Sequence, residues 1–246
     1  MDLGTETGLQ CGPRIRRKQM SVIQKIEKLR QELGGRYQLG YERHNLCGRQ
    51  ISVACAEDAE ALFSRRIHRD DLDRLESNLP YWVCVWSSSL ALSRVVMNGN
   101  YLAAGTSVLE LGCGLGLVSA AACLKRARVT ASDCQPDALL FARMNCLQIA
   151  GIDPEVRVID WGDPPEDRRY TTLLCSDLVY DPLSYDPLLA CFEILLETGG
   201  RVLLSEPNRE MGRLFFDRLD EVGWVFEEIS ESEDVTVYSI QRSYRG

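Results

Sequence analysis

Residues 108–117 read VLELGCGLGL, an apolar run that breaks into Gly112-Cys113-Gly114-Leu115-Gly116. A strand that enters closely spaced glycines predicts a turn whose backbone approaches a bound nucleotide-like group, with a helix opening behind it. This feature confines the chain to folds in which a buried strand hands over to a helix at a sheet edge. The rest of the sequence keeps the same rhythm. RVTASD (128–133) is a second strand, followed by a helix over 136–150 that tolerates Pro136 in its first turn. VRVIDW (156–161), TTLLCSDLVY (171–180) and GRVLLSEP (200–207) are further strands, and helices are expected over 188–197 and 211–222.

Alternating strands and helices predict a parallel sheet covered on both faces. WVFEEIS and VTVYSIQRS close the chain, joined only by a short acidic turn. They must pair antiparallel, because a parallel crossover needs about a dozen residues or more. The expected fold is therefore α/β, a Rossmann-like doubly wound seven-stranded sheet, mostly parallel with an antiparallel C-terminal strand. An N-terminal helix and β-hairpin extension precedes it. Val22, Ile23, Ile26, Leu29 and Leu33 fall at helical spacing behind a Ser21…Gln24 capping box. Two strand-like pieces then flank a turn near Asn45–Gly48, residues 57–78 form a connecting or lid segment, and 89–97 is a helix. The expected division is an extension over 1–77 and a main domain over 78–246.

Composition narrows the chemistry. A net charge of −8 disfavours nucleic acid and anionic membranes as partners, and the basic cluster RIRRK at 14–18 reads as a solvated tail. No stretch approaches the ~20 apolar residues of a membrane span, and the N-terminus lacks a secretory apolar region, so a cytoplasmic protein is expected. The 10 cysteines stand singly, several inside apolar runs (Cys113, Cys123, Cys146, Cys175, Cys191), and read as reduced core residues. Only His44 and His68 are available as imidazoles, which excludes a multi-histidine metal centre, and no metal is expected.

A dinucleotide fingerprint, G-x-G-x-x-G, would need glycine where Leu117 stands; the spacing here is G-x-G-x-G, preceded by Glu110. Asp133 ends the second strand, where a carboxylate can accept from both hydroxyls of a ribose. Asp160-Trp161 ends the third strand and offers an acceptor beside an aromatic wall, and Asp177 follows the fourth. Acids at this edge repel a pyrophosphate and suit a cationic sulfonium with an ammonium, so S-adenosylmethionine is favoured over NAD. Plain structural roles compete at every position: a tight turn for the glycines, caps for Asp133, Asp160 and Asp177, and core packing for Trp161, Tyr180, Tyr81, Trp82 and Trp86.

ELGCGLG, Asp133 after its β-rich run, IDWGD and SDLVYDP together resemble the class I, seven-β-strand methyltransferases. NLPYWVCVWSSSLALSR and Asp177-x-x-Tyr180 are similar to its protein lysine methyltransferase branch, the electron-transfer-flavoprotein β-subunit lysine methyltransferases and nicotinamide N-methyltransferase-like proteins. The likeness covers residues 78–246 and departs at Ser87-Ser88-Ser89, where members carry Pro-x-Gly-Gly or a similar small-residue step. It implies that Glu110, Gly112, Gly114 and Gly116 shape the loop at the methionine end of S-adenosylmethionine. Asp133 would hold the ribose and Asp160 with Trp161 the adenine, while Trp86 and Ser176 complete the cofactor site. Asp177 and Tyr180 would form the acceptor pocket, with Tyr81 or Trp82 lining a channel. The implied enzyme is a monomer that methylates an accessible lysine of a protein substrate. A small amine or other metabolite stays open as the acceptor. A non-catalytic binding protein with a vestigial cofactor site is the reading outside the enzymes.

Overall fold

The computed structural model describes residues 20–59, 61, 62, 64, 80–232 and 234–243. The basic cluster at 14–18, His68 and most of the expected lid segment lie outside the described residues. Helix α1 (Val22–Gly34) opens on the expected capping box, with Ser21 and Gln24 satisfying each other's backbone N–H groups. Strands β1 (Leu39–Leu46) and β2 (Arg49–Ala56) form the hairpin. Cys47 and Gly48 at its tip both have positive φ, the geometry whose twist suits a two-residue hairpin loop.

After a single 3-10 turn (Tyr81–Val83) and helix α2 (Ser87–Asn98), strand and helix alternate. The elements are β3 (Ser107–Leu111), α3 (Leu117–Leu124), β4 (Arg128–Asp133), α4 (Pro136–Ala150), β5 (Glu155–Val158) and β6 (Tyr170–Ser176). They continue with α5 (Tyr185–Leu195), β7 (Leu196–Glu206), α6 (Glu210–Glu221), β8 (Trp224–Glu231) and β9 (Thr236–Arg242). Two strand ends fall short of expectation. The third strand stops at Val158 and the fourth at Ser176, so Asp160, Trp161, Asp177 and Tyr180 sit in the loops beyond them. Asp177 takes φ +59°, which no strand accommodates.

The seven strands lie in the order β5-β4-β3-β6-β7-β9-β8. β3 pairs in parallel with both β4 and β6, and β9 runs antiparallel between β7 and β8. The order reverses between β3 and β6, and there the carboxyl ends of neighbouring strands open a crevice. Alternate residues of each central strand face opposite layers. Val108, Leu174 and Leu203 join the core under α2, α3, α4 and the N-terminal elements. Leu109, Leu173, Val202 and Leu204 join the core under α5 and α6.

The hairpin and α1 belong to the first of these cores, where Leu29, Leu33, Leu46 and Val53 pack with Val118 and Phe141. Asn145 of α4, wholly buried, fixes the joint. Its amide donates to the Ala54 carbonyl at 3.0 Å and to the Leu115 carbonyl at 2.8 Å, and its oxygen accepts from Ala54 N at 2.7 Å. One side chain therefore ties the hairpin to the glycine loop. Asn145→Ala strands three buried backbone groups, and each lost partner costs about 1–3 kcal/mol. The expected result is a loss of roughly 3 kcal/mol or more in urea unfolding, with the m-value unchanged.

Candidate active site

Beyond β3 the chain turns through Gly112, Gly114 and Gly116, at φ +59°, +49° and +75°, a region that side chains rarely adopt. A Cβ on Gly112 would lie 2.7 Å from the Leu178 side chain and 3.6 Å from Trp161, so this glycine gathers the ends of β3, β5 and β6. Gly114 lies against the backbone of Trp82 and donates its amide to Asp133 Oδ2 at 3.0 Å. Gly116 faces the other way. A Cβ there would sit 2.5 Å from the Cα of Ala142, so its role is to let α3 close on α4. Gly112 and Gly114 shape the open edge.

The four acids expected to crowd this edge do not act alike. Glu110 is fully buried, with Oε2 accepting from Ser119 N at 2.8 Å and Oε1 without a hydrogen-bond partner. Burial pushes its carboxyl up to about 8, against the bonds from Ser119. At neutral pH it is largely protonated and adds little negative charge. Asp133 is buried, which raises its carboxyl, while the N–H groups of Gln135 (2.9 Å) and Gly114 restrain the rise. It thus acts as a cap, and each of its oxygens keeps a lone pair beyond these two bonds. Asp160 is exposed and closes a local turn by accepting from Gly162 N at 2.9 Å. Asp177 is held by an ion pair that the sequence did not suggest.

Arg209, just beyond β7, places its guanidinium on the Asp177 carboxylate, Nη1 to Oδ1 at 2.5 Å and Nη2 to Oδ2 at 3.4 Å. Its backbone N–H donates to both oxygens of Glu206, a buried carboxylate raised by burial and partly restored by the Arg209 and Asn208 amides. The expected neutral edge residue Ser176 pairs in register with Ser205, and Asp177 N donates to the Ser205 carbonyl. Ser205 Oγ in turn donates to the carbonyl of Ser88. The unusual Ser87-Ser88-Ser89 step is therefore the start of α2 packed on β7. Arg209 was legible only as part of SEPNREMG at a strand end, and its pairing depends on the β6–β7 register.

The aromatic candidates separate into two groups. Tyr81 stacks obliquely on Tyr180 (centroids 5.6 Å) and on Trp86 (6.2 Å), and Trp86 Nε1 donates to the Tyr81 carbonyl. Tyr180 and Trp86 remain 40% and 37% exposed, so this row forms an open rim beside Asp177. Burial first, then Tyr81 and the nearby acids, pushes the Tyr180 hydroxyl up to about 12. Trp82 instead packs edge-on to Tyr37 and against Phe141. It holds the N-terminal elements and is no part of the rim.

Residues 81–222 match the family model described as lysine methyltransferase. The chain belongs to the lysine methyltransferase family. A relative from Danio rerio, named electron transfer flavoprotein beta subunit lysine methyltransferase, is 34% identical over 132 residues, 53% of this chain and 51% of that protein. Protein N-lysine methyltransferase METTL21A of Xenopus tropicalis is 30% identical over 157 residues, 62% of this chain and 73% of its own. The chain spans about half the length of the electron-transfer-flavoprotein relatives it matches. Among solved structures, the ribosomal protein L11 methylase of Lactobacillus delbrueckii superposes with a TM-score of 0.55 at 16% identity, covering 65% of this chain and 81% of that one. The DhpI–SAH complex gives 0.53 at 18%, covering 76% and 98%. At such identities the likeness concerns the fold, which is that of the class I methyltransferases.

The raised carboxyl of Glu110 has a consequence for stability. The folded state keeps a proton that the unfolded chain releases above about 4.5, so stability present at low pH is lost as pH rises toward about 8. Asp133 and Glu206 are raised too and act in the same direction. Unfolding free energy should fall between pH 5 and pH 8, with Glu110 contributing roughly 3 kcal/mol of the fall at ~1.4 kcal/mol per unit. Glu110→Gln should flatten that slope in urea titrations at the two pH values.

Proposed function

We propose that the chain is an S-adenosylmethionine-dependent N-methyltransferase acting on a lysine side chain of a protein substrate. The observation that carries this reading is the meeting of two half-sites at the β3/β6 crevice. The positive-φ cradle of Gly112 and Gly114, edged by Asp133 and Asp160, faces an acidic and aromatic pair, Asp177 and Tyr180. The crevice fits the cofactor by the chemistry of its donor set, since Asp133 and Asp160 are hydrogen-bond acceptors suited to hydroxyl, amino and ammonium donors. Gly112 and Gly114 would admit the methionine end, Asp133 the ribose, and Asp160 with Trp161 the adenine. Ser176 and Trp86 would border the site.

When bound, the cofactor supplies a methyl group already activated by positive sulfur. The protein's part is alignment and exclusion of water. Asp177 accepts a hydrogen bond from the acceptor amine and orients its lone pair. Tyr180 and Tyr81 wall the aliphatic stem, and their π faces favour a cationic nitrogen. The Tyr180 hydroxyl, held neutral, is not the base. The proton leaves by way of Asp177 to solvent.

A protein acceptor is preferred over a small amine because the rim is open. Tyr180 and Trp86 are partly exposed, and Leu183, three residues after Tyr180, is 86% exposed, which suits a docked chain better than an enclosed metabolite. The two named relatives, an electron transfer flavoprotein beta subunit lysine methyltransferase and a protein N-lysine methyltransferase, support the same acceptor class. We place the protein in the cytoplasm as a monomer. Among the described residues no helix is long and apolar enough to cross a membrane, and nine cysteines are free, as a reducing compartment allows.

Incubation with radiolabelled S-adenosylmethionine and a fractionated cell extract should label a protein band. Label confined to small molecules would move the acceptor to the metabolite class, and failure to bind cofactor at millimolar concentration by calorimetry would defeat both enzyme readings. Asp133→Ala should weaken cofactor binding at least tenfold. Asp177→Ala should retain cofactor binding and lower labelling by about 100-fold, in the range of one lost positioning group.

A further inference from the structure

Asp177 as an acceptor-holding group presents a difficulty that Arg209 resolves. A lysine amine has a solution pKa of about 10.4, so at neutral pH nearly all of it is ammonium, which has no lone pair to give a methyl group. A lone carboxylate beside it would hold the ammonium more firmly and oppose the reaction. Asp177 is not alone. It is only 11% exposed, and the guanidinium of Arg209 grips both its oxygens.

We infer that Arg209 is a positioning residue that cancels the charge of Asp177 while leaving it a hydrogen-bond acceptor, so that the pocket takes lysine as the neutral amine. The inference rests on the methyl-transfer reading above. The carboxylate–guanidinium pair carries no net charge, yet each oxygen keeps a free lone pair for an N–H. The incoming ammonium gives its proton to solvent. Its nitrogen lone pair then forms the N–C bond as the C–S electrons return to sulfur, and one positive charge passes from sulfur to nitrogen. Arg209 also repels a cation at that point, whereas it tolerates a neutral amine.

The groups around this pair are accounted for. Tyr180 and Tyr81 form its aromatic side, and the Tyr180 hydroxyl and the neighbouring Cys134 thiol, pushed up to about 12 and about 11, stay neutral across the working range. Asp133 at the end of β4 and Asp181 in the loop after β6 act on Tyr180, and Asp181 and Glu206 on Tyr185. Glu206, whose carboxyl is raised by burial and also feels Asp177, could imitate the effect by its own titration. Its backbone bonds to Arg209 survive any change of the Arg209 side chain.

The test is the pH dependence of kcat for Arg209→Gln against the wild-type chain, using as probe the extract protein band that the wild type labels, at saturating cofactor. The bound acceptor's deprotonation governs the acid limb of that profile. With Asp177 uncompensated, its midpoint should move alkaline by about one unit or more, the range for one nearby charge. The rate at pH 7 should fall about tenfold while KM for the acceptor stays level or falls. Arg209→Lys should restore the midpoint, and the same shift should appear in a Glu206→Gln background. An unmoved midpoint in a folded variant overturns the inference and leaves methyl transfer standing. Absence of label from the wild type itself overturns the methyl-transfer reading, and this inference with it.

Discussion

Parallel pairing of β3 with β4 on one side and β6 on the other governs everything at the candidate site. Two parallel neighbours force their crossover helices onto opposite faces, and the strand order must then diverge at β3. The loops leaving β3 and β6 part, and the space between them cannot be filled by a helix of either layer. Gly112 and Asp177 occupy those two loops, both at positive φ. Register does the rest: Glu110 lies opposite Ala131 and Leu174, so the glycine turn starts level with the ends of β4 and β6. β9 contributes from the far side because it runs antiparallel, which brings its first residue, Thr236, to the same edge, where its hydroxyl meets Asn208.

Electrostatics at this edge depends on how each acid is handled more than on their number. Glu110 is neutralised by burial, Asp177 by Arg209, and Asp133 is held by two backbone N–H groups. Asp160 alone is turned to solvent. A count of four carboxylates therefore overstates the field on a ligand. The preference for donor groups over phosphate survives on weaker terms, since Asp133 remains a hydrogen-bond acceptor at the end of β4 beside the glycine loop. Glu110 serves the fold: its Oε2 caps the first turn of α3, next to the glycines that begin that helix.

What the sequence revealed follows from what the backbone alone decides. Positive-φ glycines, the capping box at Ser21, the hairpin turn expected near Asn45–Gly48 and the alternation of strands and helices are local, and the structure has each, the turn itself at Cys47 and Gly48. The boundaries that drifted, at Val158 and Ser176, did so because an apolar stretch continues into a loop that is buried by other strands: Ile159 and Leu178 are core residues outside any strand. Side-chain partners across long distances were not legible. Arg209 on Asp177, Asn145 on Ala54, and Trp82 on Tyr37 join positions 32, 91 and 45 residues apart, and no periodicity encodes such meetings.

This difference also separates the two halves of the site. The glycine loop and Asp133 are shaped by backbone geometry and short-range capping, and buried Asn145 braces the loop through the Leu115 carbonyl. Around Asp177 the groups are instead side chains, exposed Tyr180 and Arg209 in the loops that follow β6 and β7. A sequence can then name the cofactor long before it names the acceptor. The Asp177–Arg209 pair and the rings beside it are meetings of distant positions, and their spacing exists only once β6 and β7 have paired.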